Sequence, residues 1–154
     1  MIDPDIQGVI EALSYQYKLP PNLVRAICEV ESSWNVWAFR HEPAYRWIMG
    51  ERASMTITER FGQMSSWGLM QIMGAVAREY GWTGPFPQLC EPAIGVNYGC
   101  KHLQNYYLRY DNWDDAIASY NAGSPRKIGQ GYHNQAYVTK VKAAWAKLGH
   151  PPQA

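Results

Sequence analysis

The sequence predicts a mainly α-helical domain, on three observations. Apolar residues recur at helical spacing in several separate stretches, and proline or glycine stands where those stretches end. No run alternates convincingly between apolar and polar residues at period two. The 154 residues are enough for a sizeable core, and positions 1–154 read as a single domain.

Taken in order, Asp3-Pro4 reads as an N-cap followed by proline at the first helical position. Ile6, Val9, Ile10, Leu13 and Tyr17 then recur at helical spacing. Leu19-Pro20-Pro21 breaks this helix and leads into a second, Leu23 to Asn35. From Asn35 to Gln63 the pattern is irregular, and an inserted lobe is expected there, with a short helical piece near Thr56–Phe61 and a small β-hairpin or irregular segment. Ser65-Ser66 offers an N-cap for a helix from Trp67 to Tyr80, closed by Gly81. Gly68 and Gly74 inside it would each weaken a plain helix by about 1 kcal/mol, so they point to a close approach of backbone. Glu91-Pro92 opens a long helix to about Tyr110, and Asp111-Asn112 caps a short one ending in Ser119-Tyr120-Asn121-Ala122-Gly123. The last helix, about Asn134 to Leu148, carries the stripe Tyr137, Val141, Ala144, Trp145 and Leu148.

Composition narrows the function classes. Apolar residues at 47% and charged residues at 18% describe a globular chain. A net charge of +1 with no long basic run argues against nucleic acid as the main partner. No stretch reaches the apolar length of a membrane span, and the start, MIDPDIQGVIEAL, lacks the basic and apolar regions of a secretory signal. Cys28, Cys90 and Cys100 make an odd set. Cys90 and Cys100 can be drawn as a pair, but free buried thiols are the expectation, and the Cys and His spacing forms no zinc pattern. Aromatic residues reach 14%, with seven Trp and eleven Tyr. Such rings fill cores, and they also line carbohydrate grooves, where a sugar ring stacks on them.

One residue breaks the amphipathic logic. In the second helix Leu23, Val24, Ile27, Cys28, Val30 and Trp34 fall on one broad arc, and Glu31 falls inside it. Glu29 lies opposite, with Arg25 four residues earlier, as a solvated pair would. A carboxylate on an apolar face must be paired, neutralised or put to use. The wheel alone leaves two readings open: a buried Glu satisfied by backbone or hydroxyl donors, or a catalytic acid.

Four segments in order carry a family resemblance: Glu31-Ser32, Gly68-Leu69-Met70-Gln71-Ile72, Ser119-Tyr120-Asn121-Ala122-Gly123, and Tyr137-Val138 on the closing helix. Leu89-Cys90-Glu91-Pro92 with Asn97, Gly99 and Leu103 adds a fifth. Over about Pro20 to Trp145 the chain resembles the lytic transglycosylases and goose-type lysozymes. The resemblance implies a lysozyme-like α fold over a single catalytic domain, and the glycan strands of peptidoglycan as substrate. It makes Glu31 the single catalytic acid, acting on the β-1,4 bond between N-acetylmuramic acid and N-acetylglucosamine. An apolar setting, which raises a carboxyl pKa, suits that role independently.

The same resemblance makes Gly68 and Gln71 cleft-lining residues, the glycine letting backbone approach the sugar and the glutamine offering its amide. Met70 accompanies them as a substrate-side or core residue. Asn121 resembles the amide that holds an N-acetyl group or the catalytic region, and Tyr120 beside it is a second contact or a support. Tyr137 is core by its stripe, or by resemblance a hydroxyl for the acetamido group or for Glu31. Ser65 and Ser66 lie near a substrate-contacting serine of the family; Ser65 is the candidate contact and Ser66 the candidate cap.

Most glycosidases use two carboxylates. In goose-type enzymes acidic residues stand six before and two after the Gly-Leu-Met-Gln segment, where this chain has Gly62 and Met73. Glu42, Glu51 and Glu59 lie in the insertion but match no motif. The expectation is therefore substrate assistance by the N-acetyl group, closing a 1,6-anhydro ring, with no metal or cofactor. The alternatives are a hydrolytic muramidase at the same site, and a non-catalytic glycan-binding or structural module of a phage tail or secretion machine. The expected setting is the bacterial cell wall, reached without a signal of its own, as a monomeric phage virion enzyme or endolysin would reach it.

Overall fold

A computed structural model describes residues 3–149. Met1 and Ile2 of the amino-terminal stretch lie outside the described residues. The chain forms two compact units. One holds the chain up to Val30 and from Cys100 onward; the other is Glu31–Gly99. The divisions fall within two helices, α2 (Pro21–Ser32) and α5 (Pro92–Tyr110).

The first unit is built from helices. Asp3 caps α1 (Pro4–Tyr17) by accepting the Asp5 N–H at 2.9 Å, with proline at the first helical position. Lys18 ends α1 in the left-handed region, and Pro21 starts α2. Asn112 caps α6 (Trp113–Ala122) through the Asp115 N–H, and Gly123 closes it at φ +78°. A two-stranded hairpin, β4 (Lys127–Ile128) and β5 (Gly131–Tyr132), precedes α7 (Gln135–Lys147). In these segments Ile10, Leu23, Val24, Ile27, Leu103, Ile117 and Val141 are fully buried. The last helix buries Val138, Val141, Ala144 and Trp145, so its stripe starts one residue later than Tyr137, and Leu148 is exposed. The hairpin was not legible: strands of two residues are too short to show a period.

The second unit departs more from expectation. No helix spans Trp67 to Tyr80. Instead β1 (Phe39–His41), β2 (Ser65–Trp67) and β3 (Ile72–Met73) form an antiparallel sheet in the order β1-β2-β3, and α4 (Gly74–Glu79) begins only after it. The register pairs Phe39 with Trp67, Arg40 with Ser66 and His41 with Ser65. A helix cannot run through 68–71, because Gly68 and Gln71 both have positive φ, +73° and +47°. Neither serine caps a helix; the Ser65 hydroxyl donates to the Phe61 carbonyl and that of Ser66 to the Gln71 side chain. The hairpin allowed for in the insertion lies after it, at β2–β3.

The insertion itself holds β1 and α3 (Ile57–Gln63), the latter capped by Thr56. Buried Gln63 pins its loop, accepting the Met49 N–H and donating to the Met49 carbonyl. The two glycines read as marks of close approach are both explained by the chain's own backbone. A Cβ at Gly68 would stand 2.5 Å from the Leu89 carbonyl oxygen, and one at Gly74 would clash with the Gly62 carbonyl. Ile72, Ala77, Phe86 and Leu89 make a core that Trp67, Val76, Trp82, Ile94 and Tyr98 flank. Arg78 braces it: the guanidinium grips both oxygens of Glu59, donates to the Trp82 and Gly84 carbonyls and lies 3.9 Å above the Phe86 ring.

All three cysteines are free and buried, and burial pushes the Cys100 thiol up to about 12. His102 on α5 lies beside Tyr106 and Tyr120, with ring centroids at 4.7 and 5.4 Å. Burial, with help from Arg109, lowers its pKa from 6.5 to about 4. Between those values the unfolded chain binds a proton that the folded chain refuses, so this group makes stability fall as pH drops through that window. Urea unfolding across the window should show a slope of at most roughly 1.4 kcal/mol per pH unit from this source. His102→Leu should flatten it; equal slopes in both proteins would refute the assignment.

Candidate active site

Glu31 is the penultimate residue of α2 and is half-buried. Trp34, assigned to the same arc, lies beyond the helix end at φ +66°. The helix stops at Ser32 because Ser33 and Trp34 both take left-handed conformations, φ +50° and +66°. Asn35 and Ala38 turn the chain into β1 through an Ala38 N–H to Asn35 carbonyl bond of 3.1 Å.

The Gly68–Gln71 turn stands against that segment. The Ala38 carbonyl accepts the Gly68 N–H at 2.8 Å and the Gln71 side-chain amide at 3.0 Å. The same amide nitrogen donates to the Gly68 carbonyl at 3.0 Å, and its oxygen accepts the Ser66 hydroxyl at 2.9 Å. Both N–H bonds of the Gln71 amide are thus used inside the protein. Gln71 braces the turn in this structure, whereas the family resemblance implies a sugar-facing amide.

Three other candidates change character here. Gly68 approaches the Leu89–Cys90 backbone, not an open surface. Met70 is fully buried, and a Cβ on Gly99 would meet its side chain, so it is a packing residue. Ser65 is fully buried too; its hydroxyl donates to Phe61 and lies 3.1 Å from His41 Nδ1. Because the one Ser65 proton goes to Phe61, the His41 contact must be a ring N–H donating to Ser65. That fixes the tautomer of a neutral His41 as the Nδ1–H form.

The insertion's carboxylates in this unit are each paired. It contains no aspartate. Of the insertion's glutamates, Glu42 pairs with Arg40, Glu51 with Arg60 and Glu59 with Arg78. The Arg78 hydrogen bonds hold the Glu59 carboxyl below its ordinary value. Several of the unit's rings reach the surface. Phe39 and Phe61, 45% and 44% exposed, stack with each other and with His41 beside the sheet, and Trp37 and Trp47 are 72% and 75% exposed.

Asn121, Tyr120 and Tyr137 belong to the other unit. Tyr120 is only 8% exposed and packs near His102. Tyr137, in the first turn of α7, is half-buried. Asn121 near the end of α6 is exposed, and its side-chain oxygen accepts from the Asn134 amide at 2.9 Å. Sequence reasoning did not single out Asn134 beyond a helix start. No local sequence signal marks it, because its side chain makes no cap and crosses to α6 instead.

Residues 8–141 match the family model described as Transglycosylase SLT domain. The chain belongs to that family. Transglycosylase SLT domains carry a general class of activity, lytic-transglycosylase action on peptidoglycan. Two curated relatives are each named Protein IpgF, from Shigella sonnei and Shigella flexneri. They are 27% and 26% identical to this SLT domain over 116 residues, 73% of this chain and 64% of theirs. The chain therefore covers under two-thirds of those relatives' length. No solved structure matches. The comparisons lend no support to a phage setting, since both named relatives are Shigella proteins. Among the described residues of this SLT domain, no helix is long and apolar enough to cross a membrane.

The turn brace makes a measurable claim. Gln71→Ala removes three side-chain hydrogen bonds and should lower stability by roughly 2–3 kcal/mol, read by urea unfolding. A loss below about 0.5 kcal/mol, the level of an ordinary surface change, would show that the turn holds without it.

Proposed function

We propose that this SLT domain cleaves the β-1,4 bond between N-acetylmuramic acid and N-acetylglucosamine as a lytic transglycosylase, with Glu31 as its one acid–base. One observation carries the reading. Glu31 is a half-buried carboxylate at the end of α2, in a unit whose insertion glutamates are each held by an arginine. Each carboxylate of the insertion is thus tied to a cation, and none stands ready as the second acid of a two-carboxylate mechanism.

The chemistry then runs in two steps. Glu31 gives its proton to the glycosidic oxygen as the N-acetyl carbonyl oxygen of the muramic acid bonds to its own anomeric carbon, releasing N-acetylglucosamine. Glu31, now a carboxylate, takes the proton of the muramic acid C6 hydroxyl. That oxygen bonds to the anomeric carbon, the acetamido C–O bond breaks, and a 1,6-anhydro ring closes. Protons balance, and no water enters.

The supporting residues take narrower roles than the sequence assigned. Gln71 holds the turn beside the Glu31 segment. Asn121 presents an exposed amide to an N-acetyl group, and Tyr137 stands as a hydroxyl for the same group. The exposed Trp37 and Trp47 suit stacking against sugar rings. The chain works as one catalytic domain at the bacterial cell wall, as a monomer and without a cofactor.

Glu31→Gln should abolish clearing of purified peptidoglycan with an unchanged melting temperature. Mass spectrometry of the wild-type products should find anhydro ends. Reducing ends would convert the reading to a hydrolytic muramidase, and binding without release of fragments would convert it to a glycan-binding module. Full activity in Glu31→Gln would sink the assignment of the acid.

A further inference from the structure

An amide side chain can present either a donor or an acceptor, and which one faces outward decides what it recognises. For Asn121 the protein settles the choice through a neighbour. The Asn134 nitrogen donates to the Ala118 carbonyl at 3.0 Å and to the Asn121 side-chain oxygen at 2.9 Å. A backbone carbonyl only accepts, so the Asn134 atom facing Ala118 must be its NH2 group. The second hydrogen of that group needs an acceptor, so the Asn121 atom facing it must be oxygen. Reversing the Asn134 amide would set its oxygen against the Ala118 carbonyl. The Asn134 oxygen is buried with no hydrogen-bond partner among the described residues, so a reversal would leave an NH2 group stranded there instead.

Asn134 is itself held in place. It follows the β4–β5 hairpin, and the hairpin is tied to α6 by the Tyr132 hydroxyl, which donates to Asp115. Lys127 lies 3.5 Å from the same carboxylate, and the Tyr132 N–H donates to Gln135 at the start of α7. The His133 N–H closes the hairpin on the Arg126 carbonyl at 2.8 Å. An anchored strand pair thus delivers one amide to the last turn of α6.

We infer that Asn134 is a positioning residue that locks the Asn121 amide with its NH2 group outward, so that Asn121 takes a carbonyl oxygen, the acceptor end of an N-acetyl group, and not its N–H. This rests on the proposed role of Asn121 in substrate binding. It assigns that amide to orienting the acetamido group by its oxygen.

Asn134→Asp replaces the donor by an acceptor. The Asn121 amide then turns to donate inward and shows its oxygen to the substrate. The expected result is a loss of about tenfold in kcat/KM on peptidoglycan, the scale of one hydrogen bond, with the fold kept by circular dichroism and thermal melting. Asn121→Ala should lose a similar factor. Because Asn134 acts through Asn121, the double variant should lose no more than Asn121→Ala alone. If the buried carboxylate prevents folding, Asn134→Ala releases the lock without a charge and takes its place in the same cycle.

The failures are distinguishable. Full activity in Asn121→Ala would overturn the binding role of Asn121 and this inference with it. Reduced activity there, beside full activity in the Asn134 variant or additive losses in the double variant, would overturn the positioning role alone.

Discussion

Two donors meet at the carbonyl oxygen of Ala38, the Gly68 N–H and the Gln71 side chain. Ala38 comes seven residues after Glu31 and directly before β1. That one acceptor therefore ties the segment leaving the Glu31 helix to the turn between β2 and β3. It also protects the register of the small sheet. A slip of one residue would move Phe39 and His41 off the face they share with Ser65 and Trp67 and put Arg40 there instead. The second hydrogen of the Gln71 amide and the Ser66 hydroxyl close the arrangement, so a buried polar group is satisfied at each step.

The charges of the same unit follow a similar economy. Arginine claims the carboxylate at Glu42, Glu51 and Glu59 in turn, and Arg78 does so while also filling two backbone carbonyls and covering an aromatic ring. An acid that must hold its proton at one moment and accept one at the next works against such pairing, because a fixed cation favours the charged form permanently. Pairing the insertion's three glutamates with Arg40, Arg60 and Arg78 ties up those three cations as well as those three acids.

Much of the helical framework was legible because its punctuation is chemical. Asp3-Pro4, Pro21, Thr56, Glu91-Pro92, Asn112 and Gly123 mark ends by caps, fixed φ or freedom of φ, and each acts locally. The second sheet strand was not legible. Ser65-Ser66 followed by apolar residues satisfies the rules for a helix start, and only Gly68 and Gln71 in left-handed conformations refuse it. A glutamine in that conformation carries no local signature; it is held by Ala38, 33 residues away along the chain. For the site, Glu31 could be found because its oddity is periodic. The working roles of Gln71, Ser65 and Met70 depend on which partners surround them, as does Asn134, and periodicity says nothing about partners.

The register of β1 and β2 has a further consequence. His41 and Ser65 are direct partners across the ladder, so the 23 residues between them leave and re-enter the sheet at neighbouring points. Loop closure costs grow only slowly with length, so a segment whose ends already meet can be lengthened, shortened or exchanged with little strain on what it joins. The part of this stretch ahead of α3 is in this sense a splice point, whereas α3 is fixed by Glu59 on Arg78 and by the Gly62 carbonyl against Gly74. The scaffold can keep its sheet and trade the rings, Trp47 among them, that the segment carries to the surface.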